Sequence, residues 1–445
     1  MLQKRLIQVL FLLFLSNQLF AQLLAGPMLG YSEMREVLLW VQTEKPALVK
    51  YNYWEKGNEN EKFSSTSHLT QKDNYFISKV ILEDVLPGKT YEYELILNGK
   101  KQKFDYPLEF QTQTLWQYRT DPPAFTFAFG SCVYTNEPEF DRPGKPYGNS
   151  FKIFDEIYEQ NPDFMVWGGD NIYLREVDWN TRSGIYKRYI DFKRQPELQK
   201  LFANTHHYAT WDDHDFGPND ADRSYWGKSW TLEAFKDNWG NPNYIYQDEA
   251  VTGTFFWEDV QFFILDDRWY RAPNYLSDEE KDYFGQKQTD WLIDALAASR
   301  APFKFVVAGG QVINPAADFE NMATFPAERQ KLLDRITENN ISGVVFLTGD
   351  RHHTALRKLD REGTYPLYDI TVSALTSGMA KPRDEERVSA DLIPDTIVED
   401  LNNFGIFEVS GPRTDRSLKI DIIDNEGKPR WNYTIKARDL RKPRD

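Results

Sequence analysis

The chain has 445 residues, of which 41 % are hydrophobic and 15 % aromatic, and it carries a formal charge of −15. That length accommodates two domains or one large one, and the aromatic content excludes a disordered chain. The acid excess argues against a protein that grips nucleic acid or a membrane surface, since such proteins present a basic face; metal ions in a local site would still reverse the field for a small anion.

The N-terminus, MLQKRLIQVLFLLFLSNQLFAQ, has a positive start at Lys4 and Arg5, an apolar run over residues 6–15 and a small residue at Ala21. Residues 1–21 are therefore read as a secretory signal peptide. The apolar run is about half of the roughly 20 residues that a membrane span needs, so cleavage is favoured over anchoring. No second candidate span follows, and the mature chain is expected in the periplasm or outside the cell. Its one cysteine, Cys132, leaves no partner for an internal disulfide. A lone thiol in an oxidising compartment is expected to be buried or bound.

Residues 22–118 read as all-β. The runs EVLLWVQ (36–42), ALVKYNYW (47–54), NYFISKVILE (74–83) and YEYELILN (91–98) are short, β-branched or aromatic, and separated by turns. LPGKTYEYEL (86–95) resembles the late strands of a fibronectin III-like sandwich, with a Leu-Pro-Gly turn before a Tyr-opened strand. This block holds no chemical cluster and reads as a support or positioning domain. TDPPAF (120–125) marks a junction. Residues 119–445 then alternate continuous apolar runs with helical patterns such as SFKIFDEIYEQ (150–160) and SGIYKRYIDFKRQPELQKLFA (183–203), as in an α/β layered domain, and end in a strand meander.

The chemically rich stretches begin where these apolar runs end: GSC (130–132), GGDNIY (168–173), WDDHD (211–215), GGQVINP (309–315) and GDRHH (349–353). Loops at the carboxyl ends of strands converge on one point in α/β sheets. Five of the six histidines, His206, His207, His214, His352 and His353, flank one predicted strand or lie in GDRHH, and His68 is read as a surface residue. WDDHDFGPNDAD packs five aspartates into twelve residues, and carboxylates this close call for a cation. An EF-hand does not fit, because Ser224 falls where the closing glutamate belongs. Cys132, Asp170, Tyr173, Asp212 or Asp213, Asp350 and His352 offer sulfur, nitrogen and oxygen donors. Thiolate and phenolate favour a transition metal such as iron, whereas carboxylates favour calcium or magnesium. A cluster of two or more cations fits this set, and such clusters clamp phosphate oxygens and activate a bound water for phosphoester hydrolysis.

The order GSC, GDxxY, WDDHD, GDRHH resembles the PhoD-like alkaline phosphatases, a branch of the calcineurin-like metallophosphoesterases. The resemblance implies a four-layer αββα metallophosphoesterase sandwich preceded by a small β-domain. It also implies an exported phosphatase or phosphodiesterase with an iron (Fe3+) and calcium centre acting on a phosphate ester. By that resemblance Cys132, Asp170 and Tyr173 bind iron, Asp213 and then Asp212 bind calcium, and Asp350 and His352 add ligands. Departures occur at Asn171 and Leu174, where relatives carry an aromatic or His and an acid, with Glu176 further on. The expected mechanism is attack by metal-bound hydroxide without a covalent intermediate, with Asp170 bridging and His214 protonating the leaving alkoxide. Arg351 and Arg223 are the candidates to hold phosphate oxygens. Asp222 and Asn219 would complete the calcium shell or cap their loop, and the loops 177–186 and 224–235 would shape the leaving-group pocket or join the core. The rival readings are a secreted calcium-stabilised binding module, which has no use for a thiolate, and a phospholipase or nuclease of the same superfamily. No nucleic acid is expected as a stable partner, and the oligomeric state is left open.

Overall fold

The computed structural model of the protein describes residues 22–278, 280–318 and 321–442. The expected signal peptide, residues 1–21, lies outside them. Two sheets face each other in the region after residue 118, and the first of them shares strands with the N-terminal region. The first has nine strands, in the order Pro429–Lys436, Ser417–Asp424, Asn403–Ser410, Phe125–Gly130, Phe164–Gly168, His206–Thr210, Leu23–Ser32, Val37–Thr43 and Ile77–Leu82. The second has six, in the order Gly253–Trp257, Val260–Ile264, Lys304–Val307, Val344–Thr348, Leu367–Thr371 and Ala355–Leu359.

Both sheets are parallel where the chemistry sits. Phe125–Gly130 runs beside Phe164–Gly168 with Phe127 opposite Phe164, and Phe164–Gly168 beside His206–Thr210 with Phe164 opposite His206. Such strands are covered on both faces, which is why they read as unbroken apolar runs. On the inner side Phe127 meets Phe262 and Phe305 of the other sheet, with ring centroids 5.2 and 5.3 Å apart. On the outer side Trp167 packs on Phe192 and Phe202 from the helices Arg182–Lys193 and Pro196–Asn204, and on Trp239, which follows the helix Lys228–Asn238. Helices Gln286–Ala298 and Pro326–Glu338 pack together beside the second sheet, where Trp291 touches Phe263. The layers are αββα, as expected. The single helical run expected over 183–203 is two helices. Pro196 has no N–H to continue the first and occupies the first turn of the second.

The N-terminal all-β region spans strands from Leu23 to Gln111 and shares its sheet with the α/β region that follows. Leu23–Ser32 pairs antiparallel with Val37–Thr43 and parallel with His206–Thr210, where Leu29 faces His206. Its Gly26, Pro27 and Gly30 interrupt the alternation that announces a strand, so it is not legible as one. Gly30 is required by contact: a Cβ there would lie 2.6 Å from Leu38 and 3.0 Å from the Gly240 backbone. A second small sheet, built on Leu48–Glu55 and Thr90–Leu97, closes over the first. Between them lies a separate apolar core that includes Leu29, Leu39, Val41, Tyr51, Tyr93 and Leu95.

Candidate metal centre

The parallel strands deliver the loops expected to carry chemistry to one place. Directly after Gly130, the Cys132 N–H donates to the Gly169 carbonyl (3.1 Å) and Val133 N–H to Asp170 O (2.7 Å). Ser131 bridges to Ser373, which joins the two sheets at their carboxyl ends. The ligand candidates Cys132, Asp170, Asp350 and His352 all have left-handed backbones, with φ of 63, 52, 64 and 54°. Non-glycine residues reach that region only at a cost of order 1–3 kcal/mol each, and such strain gathers at functional sites. Gly169 must be glycine: its φ is +97°, and a Cβ would lie 2.8 Å from Asp212.

Four donor atoms of different chemistry converge. Cys132 Sγ lies 3.6 Å from Asp170 Oδ2, and Tyr173 Oη lies 3.1 Å from the same oxygen and 3.0 Å from His352 Nε2. Donors around one small cation at about 2.1 Å are separated by about 3.4 Å, so this spacing is that of a ligand shell. The imidazole tautomer also fits. His352 Nδ1 lies 2.6 Å from the Gly378 carbonyl and must donate to it, which leaves the Nε2 lone pair facing the cluster.

Asp170 is shared between two donor groups. Ligand atoms of Cys132, Asp170 and His352 lie within 4.8 Å of one another, as do those of Asp170, Asp213 and His214, and those of Asp212, Asp213 and Asp350. Every residue expected to bind metal is therefore in or against one continuous cluster. The Asp212 side chain caps the short helix Asp213–Phe216 and takes Arg268 Nε at 2.5 Å on Oδ1, while its Oδ2 is buried without a hydrogen-bond partner. A buried acceptor in that state fits a hard cation.

The electrostatics call for positive charge. Burial, followed by the charge of Asp170, pushes the Cys132 thiol far up, against hydrogen bonds from Ser131 and Ser373. Burial and then Asp213, Asp212, Asp215 and Asp350 push Asp170 far up. Asp213 is the exception: against the cost of burial, the charges of His214 and Arg268 hold it at about 2. Bound cations would reverse the first two shifts and make thiolate and carboxylate the stable forms.

Several supporting residues were not legible in advance. Ser373 Oγ donates to Cys132 Sγ at 3.2 Å and accepts His352 N–H at 3.0 Å, tying two candidate ligands together. Asp215 accepts backbone N–H groups of Asn171 (3.1 Å), Ile172 (3.3 Å) and Asp212 (3.1 Å), so it clamps the GGDNIY loop to the WDDHD loop. Arg268 follows the strand Val260–Ile264; its arrival in a "DDR" stretch just after an apolar run was the available signal.

The remaining candidates have other surroundings. Arg351 is buried and meets both oxygens of Glu386 through Nη2 at 2.9 Å. Arg223 pairs with Asp282 at 2.9 Å. Asp222 accepts Ser224 N–H at 2.8 Å and Asn219 donates to the Asp220 side chain at 2.7 Å. Leu174 is buried and Glu176 exposed. His206 lies between the Gly30 and Gln111 carbonyls, His207 accepts Trp167 Nε1–H at 3.0 Å, and His353 Nδ1 is 2.9 Å from Arg351 O. Of the five grouped histidines, His214 and His352 reach the cluster. His214 stacks on Tyr173 with centroids 4.0 Å apart, and its Nε2 is 3.9 Å from Asp213 Oδ2.

The chain resembles known proteins over both of its parts. The profile of the PhoD-like phosphatases matches residues 127–415, and that of a domain of unknown function (DUF7800) matches residues 20–115. Alkaline phosphatase D of Bacillus subtilis (strain 168) is 23 % identical over 307 residues, 60 % of this chain and 51 % of that protein. The aligned part thus spans about half the length of that curated relative. A solved structure of PhoD superposes with a TM-score of 0.76 at 17 % identity, over 96 % of this chain and 93 % of the other, and so shares the fold. The family profile covers well over half of the 445 residues, and together with the order and convergence of its motifs it establishes that this chain belongs to the PhoD-like phosphatase family.

Proposed function

We propose that this protein is an exported, metal-dependent phosphoester hydrolase with an iron and calcium centre. The observation that carries the reading is the meeting of Cys132, Asp170, Tyr173 and His352 donors, with Asp170 shared toward Asp213. Cys132, Asp170, Tyr173 and His352 would hold iron, and Asp170, Asp212, Asp213 and Asp350 would hold calcium. When bound, these cations supply charge to phosphate oxygens and acidity to a water.

The chain's own residues do the rest. Asp170 sets the spacing between the two donor groups. Asp215 and Arg268 keep the acidic loops in register, and Ser373 orients sulfur and imidazole together. His214, stacked on Tyr173 and beside the anionic Asp213, is the group placed to give a proton to the leaving oxygen. Arg351 acts through Glu386, and Arg223 through Asp282, as supports of loops rather than as phosphate clamps. A calcium-stiffened binding module is the weaker account, since it would not gather a thiol, a phenol and an imidazole. Elemental analysis of the purified protein, paired with hydrolysis of chromogenic phosphate monoesters and diesters, tests the reading. Iron and calcium with turnover of at least one ester class is the expected result; metal-free protein with background rates on both overturns it. Detection of the mature protein outside the cytoplasm, beginning at Gln22, tests the export.

A further inference from the structure

The aromatic loops 177–186 and 224–235, candidates from sequence for the leaving-group wall, are each anchored by a buried tyrosine, although Trp226 in the second is exposed. Tyr186 Oη donates to Asp237 at 2.5 Å and Tyr225 Oη to the Trp179 carbonyl at 2.6 Å. A different residue stands at the cluster with surface to spare. Tyr134 and Tyr173 are 7 % and 3 % exposed, whereas Tyr147 is 44 % exposed. Its ring lies edge-on to both, at 5.0 and 6.0 Å, and its Oη is 3.2 Å from His352 Nδ1. Burial pushes its phenol up, and so do the charges of Cys132, Asp170, Asp350 and Asp213.

The loop that presents it is held at its base and open at its tip. Asn136 Nδ2 donates to Gly148 O at 2.8 Å and accepts Gly148 N–H on Oδ1 at 2.9 Å, which closes residues 136–148 into a compact loop. Arg175 fastens one side through Asp141 (3.0 Å) and Glu137 (2.6 Å). The Tyr147 ring rests on Gly378, where a Cβ would come within 3.2 Å of it. At the tip, Arg142 and Lys145 are exposed and take no hydrogen-bond or ion-pair partner among the described residues. In a chain of net charge −15 they offer attraction to an anion arriving at this mouth.

The hydroxyl has a donor to give. His352 Nδ1 gives its one proton to the Gly378 carbonyl at 2.6 Å, so it has no lone pair for the Tyr147 hydroxyl 3.2 Å away, and Tyr147 keeps its own O–H to donate elsewhere. No other partner for that hydroxyl is found among the described residues.

From this the geometry points to Tyr147 as a substrate-contacting specificity residue: its ring walls the leaving-group side of the centre and its hydroxyl donates to an oxygen of the phosphoryl group, favouring esters whose leaving group is aromatic or otherwise planar. The inference rests on the phosphoester reading, and its test does not depend on turnover. Binding of phenylphosphonate and methylphosphonate, neither of which is hydrolysed, is measured by calorimetry on the metal-loaded protein and its variants, with metal content determined alongside. The parent is expected to prefer phenylphosphonate by about tenfold, the scale of one ring contact. Tyr147→Ala is expected to abolish that preference with metal content unchanged. Tyr147→Phe is expected to keep the preference and weaken both ligands alike. A parent without preference, a Tyr147→Ala variant that retains it, or one that loses its metals overturns the assignment, the last in favour of a structural role. If the parent shows the phosphonate preference but hydrolyses no phosphate ester, the catalytic reading fails and the specificity assignment stands.

Discussion

Along the nine-stranded sheet, the N-terminal region and the centre use burial in opposite ways. Between Leu23–Ser32 and Thr90–Leu97 the interior is apolar, and it holds uncharged hydroxyls rather than carboxyls: Tyr93 Oη reaches the Ala203 carbonyl at 2.8 Å and Thr43 meets Thr70 at 2.9 Å, while the Tyr51 hydroxyl is buried without a partner. Around Cys132 the buried groups are carboxyls, a thiol and phenols, and burial with mutual repulsion pushes the protonation of Asp170, Asp212 and Cys132 upward. The first region stabilises the fold. The second carries a penalty that bound cations would offset, so the sheet hosts a stable platform and a strained site side by side.

The largest effect should come from Asp170→Asn. Removing a shared donor should lower turnover by more than the roughly 10–100-fold typical of outer supports and strip the metals. The same change should stabilise the metal-free chain by about 0.5–2 kcal/mol, because it removes a buried repelling carboxyl. Metal analysis and urea unfolding of the metal-free protein check both halves; a less stable metal-free variant would break the contrast. In the other region, Leu39→Ala should cost about 2–5 kcal/mol through cavity formation while leaving the turnover of folded molecules unchanged. A drop in specific activity would mean that the N-terminal core acts on the centre.

Metal addition sharpens the comparison next. At free metal near a hundredfold above Kd, unfolding of the parent should become harder by about 2.7 kcal/mol, and that of Asp170→Asn should be unchanged. The pH response follows from the raised carboxyls. Burial lifts Asp215 from 3.8 to about 7 and Asp266 from 3.8 to about 6. Between those limits the folded chain keeps protons that the unfolded chain has released, so the stability of the metal-free protein should fall as pH rises from about 4 to about 7. Below that window the trend reverses, as Asp213, held at about 2, loses its contribution on protonation. Denaturation midpoints at intervals across the range give the slope, and a rise toward neutrality contradicts it. The smallest effect is expected at the half-exposed Arg223–Asp282 pair: Arg223→Ala should change stability by no more than about 1 kcal/mol and leave the KM for phosphate esters unaltered. A large rise in KM would restore that arginine as a phosphate contact.

Much of the architecture was open to reading before the structure. The apolar runs ending in GSC, GGD, WDD and TGD mark parallel strands because only strands covered on both faces dispense with polar alternation. The strand Leu23–Ser32 escaped because Gly26, Pro27 and Gly30 hide its pattern, although Leu29 and Met28 are fully buried. Within the site, the residue types and their order pointed to the ligands. The roles of Arg351 and Arg223 depended on which carboxylate each would meet, Glu386 and Asp282, which are 35 and 59 positions away. No local pattern encodes such a partner.

Composition, periodicity and motif order determined an α/β layered domain and the donor chemistry, since these depend on which residue types occur at strand ends, and the resemblance carried by the motif order implied the family and its αββα layering. Only the folded chain decided that Asp170 is shared between two donor groups, that Ser373 joins sulfur to imidazole, and that Tyr147 faces outward where Tyr134 and Tyr173 do not. Those outcomes depend on side-chain direction and on contacts between segments more than two hundred residues apart, such as Cys132 with Ser373, where loop closure and packing rather than local preference set the geometry.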